Sequence, residues 1–125
     1  MRVLVIDDDA LVRELLMDTL AEEGMEVDGL ACADDALVLL GAGQVPDVLV
    51  TDIDLGAGLN GLDLASIAHE RHPAVEVVLI SGTSGAPGQP SPGRHERFLR
   101  KPFAPATLAQ AIRGAAAAAA DRGAA

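Results

Sequence analysis

Aromatic side chains are nearly missing from this chain. There is no Trp, no Tyr and only Phe98 and Phe103 among 125 residues of which half are hydrophobic, so the core has to be aliphatic. Cysteine is as scarce: the single Cys32 excludes an internal disulfide and fits a reducing cytosol, and a cytoplasmic location is expected. Positive charge is short too. Nine Lys and Arg face nineteen Asp and Glu, a formal net charge of -10. Direct nucleic-acid binding needs clustered bases and is not expected; cationic partners or a bound cation are favoured. The short apolar run that opens at Arg2 meets acids at Asp7, so neither a signal peptide nor a membrane segment is expected. The length suits one domain, too small to join a catalytic domain to a regulatory one.

What the chain does have is a series of apolar runs that end in polar groups. The most apolar, Val48-Leu49-Val50, follows Pro46 and delivers Asp52 at its tip, ahead of a loop in which Gly56, Gly58, Asn60 and Gly61 signal turns. A run with no polar member reads as a central strand buried on both faces. Arg2 to Ile6 reads the same way and ends in Asp7, Asp8 and Asp9. Glu26 to Ala31 is a weaker strand, interrupted by Gly29; Val75 to Ile80 ends in Ser81; Arg97 to Arg100 ends in Lys101. Between them, helical spacing is found from Ala10 to Glu23, with Asp9 placed to cap it, from Asp34 to Leu40, from Leu62 to a stop near Pro73, and from Pro105 to Ala120. The alanines from Ala115 onward have little to bury and are expected to fray or project. Gly82 to His95 holds four Gly and three Pro in fourteen residues and reads as a flexible loop.

Strands alternating with helices predict an α/β fold with a parallel sheet covered on both faces. Sites in such sheets lie outside the carboxyl ends of the strands, which collects Asp7, Asp8, Asp52, Ser81 and Lys101 on one edge. Clustered carboxylates in low dielectric disfavour one another's ionisation unless a cation offsets them. Mg2+ suits that role, since it takes one or two carboxylates, a carbonyl and waters while binding phosphate oxygens. Lys101, the sole lysine, would complement a phosphoryl group.

The motifs VLVIDDD, LVTDIDL, VVLIS and FLRKPF resemble the receiver domain of two-component response regulators along essentially the whole chain. The resemblance implies a flavodoxin-like, doubly wound five-stranded parallel sheet of order 2-1-3-4-5, with residues 1–122 as receiver and 123–125 as tail, in a single-domain response regulator. It implies that Asp52 is the phosphoacceptor and that Mg2+ is held by Asp8, Asp52 and the backbone carbonyl of Asp54, with Asp7 as the second acidic residue. Ser81 matches the hydroxyl that bonds the phosphoryl group, Lys101 the lysine that pairs with it, and Phe98 the aromatic switch position. The Lys101-Pro102 bond is usually cis in such proteins. The implied partners are a histidine kinase or histidine phosphotransfer protein as donor and a downstream protein target. The implied chemistry is self-phosphorylation and slow autodephosphorylation only.

Two features depart from the family pattern. The loop after Asp52 lacks the common Met-Pro pair and runs one residue long. Gly82 to His95 stands where the family has its helix between the fourth and fifth strands, which is therefore expected to be shortened or replaced. Two other readings stay open: a Mg2+-dependent aspartyl-phosphate phosphatase, because Asp52-Ile53-Asp54 has the D-x-D spacing of haloacid-dehalogenase-like enzymes, and a pseudo-receiver acting only as an interaction module. His69 and His72, without a third ligand, are expected to be surface residues. Cys32 is expected to be inert packing.

Overall fold

Local sequence accounts for where each element starts and stops. In a computed structural model that describes residues 1–56, 58–82 and 95–124, with side chains to Ala118, strand β1 spans Arg2–Ile6 and helix α1 Ala10–Glu22. The Asp9 carboxylate accepts the Leu11 and Val12 N–H groups at 3.0 and 3.2 Å, meeting two of the donors that a helix start leaves unpaired; such a cap contributes about 1 kcal/mol. Gly24, with φ of 84°, supplies the left-handed residue that turns the chain into β2, Glu26–Leu30. Helix α2 is Ala33–Gly41, β3 Val48–Asp52 and α3 Gly61–Arg71. Strands β4, Glu76–Ser81, and β5, Glu96–Arg100, precede the long helix α4, Pro105–Ala124.

The five strands form one parallel sheet in the order β2-β1-β3-β4-β5. Period-two alternation then separates two cores. Val3, Val5, Val48, Val50, Val78 and Ile80 pack with Leu16 and Leu20 of α1 and Leu108 and Ile112 of α4. Leu4, Ile6, Leu49, Val77 and Leu79 pack with Ala36 and Leu40 of α2 and Leu64 and Ala68 of α3. Every residue of β3 is buried, as its unbroken apolar run predicts. Each Val, Leu or Ile so buried contributes roughly 1.5–3 kcal/mol, so an aliphatic core suffices without aromatics.

Three details correct the sequence reading. Helix α4 continues past the expected end at Ala120, and Ala115 is fully buried rather than idle, because the helix lies along the sheet for that turn. His69 and His72 are not simple surface residues: both are half-buried, and their rings contact the Val75 carbonyl at 2.9 Å and the Leu40 carbonyl at 3.2 Å, since the end of α3 folds against the amino-terminal edge of the sheet. Ser81 belongs to β4 rather than following it. The expectation of a loop over Gly82 to His95 falls on 83–94, outside the described residues.

Candidate functional site

Register brings the polar strand ends together. Ile6 pairs with Thr51, Asp52 with Ile80 and Ser81 with Arg100, so the residues just beyond β1, β3 and β5 emerge at one edge. Lys101 is carried there by its own N–H, which donates to the Ser81 carbonyl at 2.9 Å, and the Lys101-Pro102 peptide is cis. Its Nζ donates to Asp52 Oδ2 at 2.7 Å across a sequence separation of 49 residues. The other Asp52 oxygen, Oδ1, accepts the Asp54 N–H at 2.9 Å. The Asp54 carboxylate in turn accepts the Gly56 N–H at 3.1 Å, folding the loop back on itself.

Asp7 is buried beside this pair. Its Oδ1 accepts the Asp9 N–H at 2.9 Å, but its Oδ2 has no hydrogen-bond partner. Burial raises the Asp7 pKa above its ordinary 3.8; the Asp9 N–H and Lys101 oppose this, while the charges of Asp52 and Asp8 add to it, and the net is upward. Burial pulls Lys101 the other way, but its hydrogen bond to Asp52 and the charges of Asp52, Asp7 and Asp8 prevail, so its pKa stands above 10.5. Asp8 is exposed, and its Oδ2 reaches the loop, 3.4 Å from where a Cβ on Gly56 would stand.

Three carboxylates thus meet one ammonium, leaving a net negative edge. Among the described residues no three His, Cys, Asp or Glu side chains form a ready metal cage. Mg2+ needs none, because it retains waters and takes only one or two carboxylates. The unpartnered Asp7 oxygen and the excess of carboxylate over ammonium fit a hard cation.

Ser81 and Phe98 stand differently. The Ser81 hydroxyl is buried at the end of β4 and points to the Leu99 carbonyl at 3.5 Å, the outer limit of a hydrogen bond, so it is weakly held. Phe98 is half-buried against the core shared with α2 and α3, away from the carboxylates' hydrogen bonds. Reasoning from the sequence overlooked Arg13, whose guanidinium donates to the Asp7 carbonyl at 2.7 Å and so holds the acidic turn from α1. Its signal was Gly29: the Arg13 stem lies over that glycine, with its Cδ 3.1 Å from where a Cβ would stand.

Volume does not mark this site. A cleft of about 810 Å3 opens at the other end of the sheet, between Met1, Pro46, Arg71, Pro73 and Ala116. Its one carboxylate, Asp47, already accepts the Arg2 N–H at 2.8 Å. The charged edge is the better candidate because, among the described residues, only there is a buried side-chain oxygen left without a partner. Among the described residues, no helix is long and apolar enough to cross a membrane.

Comparison with known proteins identifies the family and the fold. The family model of the response regulator receiver domain matches residues 3–113. The C4-dicarboxylate transport transcriptional regulatory protein DctD of Pseudomonas aeruginosa is 36% identical over 118 residues, which are 91% of this chain and 25% of that protein. The protein-glutamate methylesterase/protein-glutamine glutaminase 5 of Anaeromyxobacter dehalogenans is 40% identical over 91 residues, 72% of this chain and 25% of that protein. The chain therefore spans about a quarter of the length of these relatives. A response regulator receiver protein from Sinorhizobium medicae superposes with a TM-score of 0.81 at 28% identity, over 95% of this chain and 96% of that one.

Proposed function

Because the chain belongs to the response regulator receiver domain family, we propose that it accepts a phosphoryl group on Asp52 from the phosphohistidine of a histidine kinase or phosphotransfer protein. The observation that carries this is the Asp52 carboxylate held at both oxygens, by the Asp54 N–H and by Lys101, beside the unpartnered Asp7. In the transfer, an Asp52 oxygen attacks phosphorus, the P–N bond breaks, and the imidazole nitrogen keeps its electron pair. Lys101 shifts part of its hydrogen bonding from Asp52 to the phosphoryl oxygens and offsets their charge. Asp8, Asp52 and the Asp54 carbonyl, with Asp7 beside them, would hold Mg2+, which when bound supplies positive charge against the transferring group.

Ser81, weakly bonded at 3.5 Å, turns its hydroxyl toward the new oxygens, and Phe98 responds from β5, biasing a surface that a downstream protein reads. Transfer and slow hydrolysis of the acyl phosphate are the only chemistry assigned. An excess of nineteen acids over nine bases favours output through protein contacts rather than direct nucleic-acid contact by this domain. Intact mass spectrometry after incubation with acetyl phosphate and Mg2+ tests the reading. One phosphoryl gain in the wild type and none in Asp52→Asn is expected; no gain in the wild type, or a gain that persists in Asp52→Asn, overturns it.

A further inference from the structure

Gly61 opens α3 and is buried, yet its φ lies outside the left-handed region that calls for glycine. Alanine is the better helix former, so conformation gives no reason for glycine here. Space does. A Cβ on Gly61 would overlap the main-chain oxygen of Asp52 and stand 2.8 Å from Ile53 Cα and 2.9 Å from the Asp52 carbonyl carbon. All three are backbone atoms at the tip of β3, unable to swing aside as a flexible side chain could. We propose that Gly61 is a positioning residue for Asp52: its missing side chain lets the first turn of α3 seat directly on the acceptor's own peptide group.

The hydrogen bonds around it show what that seating holds. The Ile53 N–H donates to the Ile80 carbonyl at 2.9 Å, and the Ile53 carbonyl accepts the Gly61 N–H at 2.8 Å, so Ile53 is pinned between β4 and α3. The next residue is Asp54, whose N–H orients Asp52 Oδ1. A methyl group at position 61 presses on the backbone of Asp52 and Ile53 itself, and shifting Ile53 draws the Asp54 N–H from the carboxylate. The capping box of Asn60 and Asp63, with bonds of 2.9 and 3.2 Å, anchors the same turn without touching Asp52. Loosening that box therefore serves as a control.

The proposal rests on Asp52 being the acceptor, and the test separates the two. Gly61→Ala and Asn60→Ala are compared for melting temperature, for the Asp54 amide resonance in the Mg2+-free protein, and for the phosphorylation rate at saturating acetyl phosphate. Gly61→Ala is expected to move the Asp54 amide and lower the saturated rate by about tenfold or more, with the half-saturating donor concentration unchanged. Asn60→Ala is expected to lower the melting temperature while leaving amide and rate as in the wild type. A wild-type amide and rate in Gly61→Ala, equal effects from Asn60→Ala, or a Gly61→Ala chain that does not fold would overturn the proposal. Failure of the wild type to be phosphorylated would instead sink the acceptor reading, and the Asp54 amide would still decide the role of Gly61.

Discussion

Asp7 and Glu76 are each 2% exposed, yet they stand at opposite ends of the parallel strands and are treated in opposite ways. Glu76, at the start of β4, has the His95 ring nitrogen 3.0 Å away, in a cluster where His69 also approaches Glu96 at 3.5 Å and the two rings lie 6.1 Å apart. Asp7, just past β1, keeps one oxygen without a partner and has Asp8 and Asp52 as neighbours. A buried acid with its partner in place belongs to the fold. One left unmatched among like charges weakens the fold and favours a cation beside it, and that difference sets off the proposed working end of the sheet more clearly than the cleft at the other end.

The largest effect expected at the working end is that of Lys101→Ala. It removes the only ammonium from a site with three carboxylates, and should slow phosphorylation by acetyl phosphate about 100-fold, in line with the loss of one preorganised charge-stabilising donor. A rate within twofold of the wild type would erase the functional side of the comparison. Next in size, Mg2+ should stabilise the wild type by about 2.7 kcal/mol at roughly 100 times its Kd, read as a rise in melting temperature, with most of the rise lost in Asp8→Ala. An equal rise in Asp8→Ala would place the cation elsewhere.

The sharpest contrast is one of sign. His95→Ala withdraws a hydrogen bond from Glu76 and should cost about 1–3 kcal/mol. Asp7→Asn, measured in a chelator, should instead raise the melting temperature by a few degrees. The folded pKa of Asp7 lies above 3.8, so between those two values the folded state binds more protons than the unfolded one. Stability from this group consequently increases as pH falls through that window and is lowest above it. The wild-type minus Asp7→Asn difference in melting temperature should be negative at neutral pH and shrink on acidification. A destabilised Asp7→Asn would make the two buried acids alike and the contrast false.

Much of the fold could be read along the chain because burial on both faces leaves a local trace. Val48 to Val50 has no polar interruption, Asp9 precedes a helical repeat, and the runs ending before Asp7, Asp52, Ser81 and Lys101 stop at a polar residue, so strand ends and the polar groups they carry are visible without coordinates. Histidine roles were not. His69 and His72 have the spacing of a solvated helix face, and only the return of α3 to the edge of the sheet puts their rings on the Val75 and Leu40 carbonyls. Arg13 was missed for the same reason, since nothing near it in sequence reveals that α1 crosses Gly29 with the Asp7 carbonyl in reach.

By itself the sequence determined that five short runs would be strands, that four of them would end in Asp, Ser or Lys, and which motifs they would carry, because periodicity and breakers act over a few residues. Tertiary structure alone decided that Lys101 closes on Asp52, that Asp7 is buried with one oxygen unmatched, and that Gly61 seats on the Asp52 carbonyl. These depend on strand order and register, which join residues dozens of positions apart through sheet pairing and helix packing, and no local pattern sets such distances.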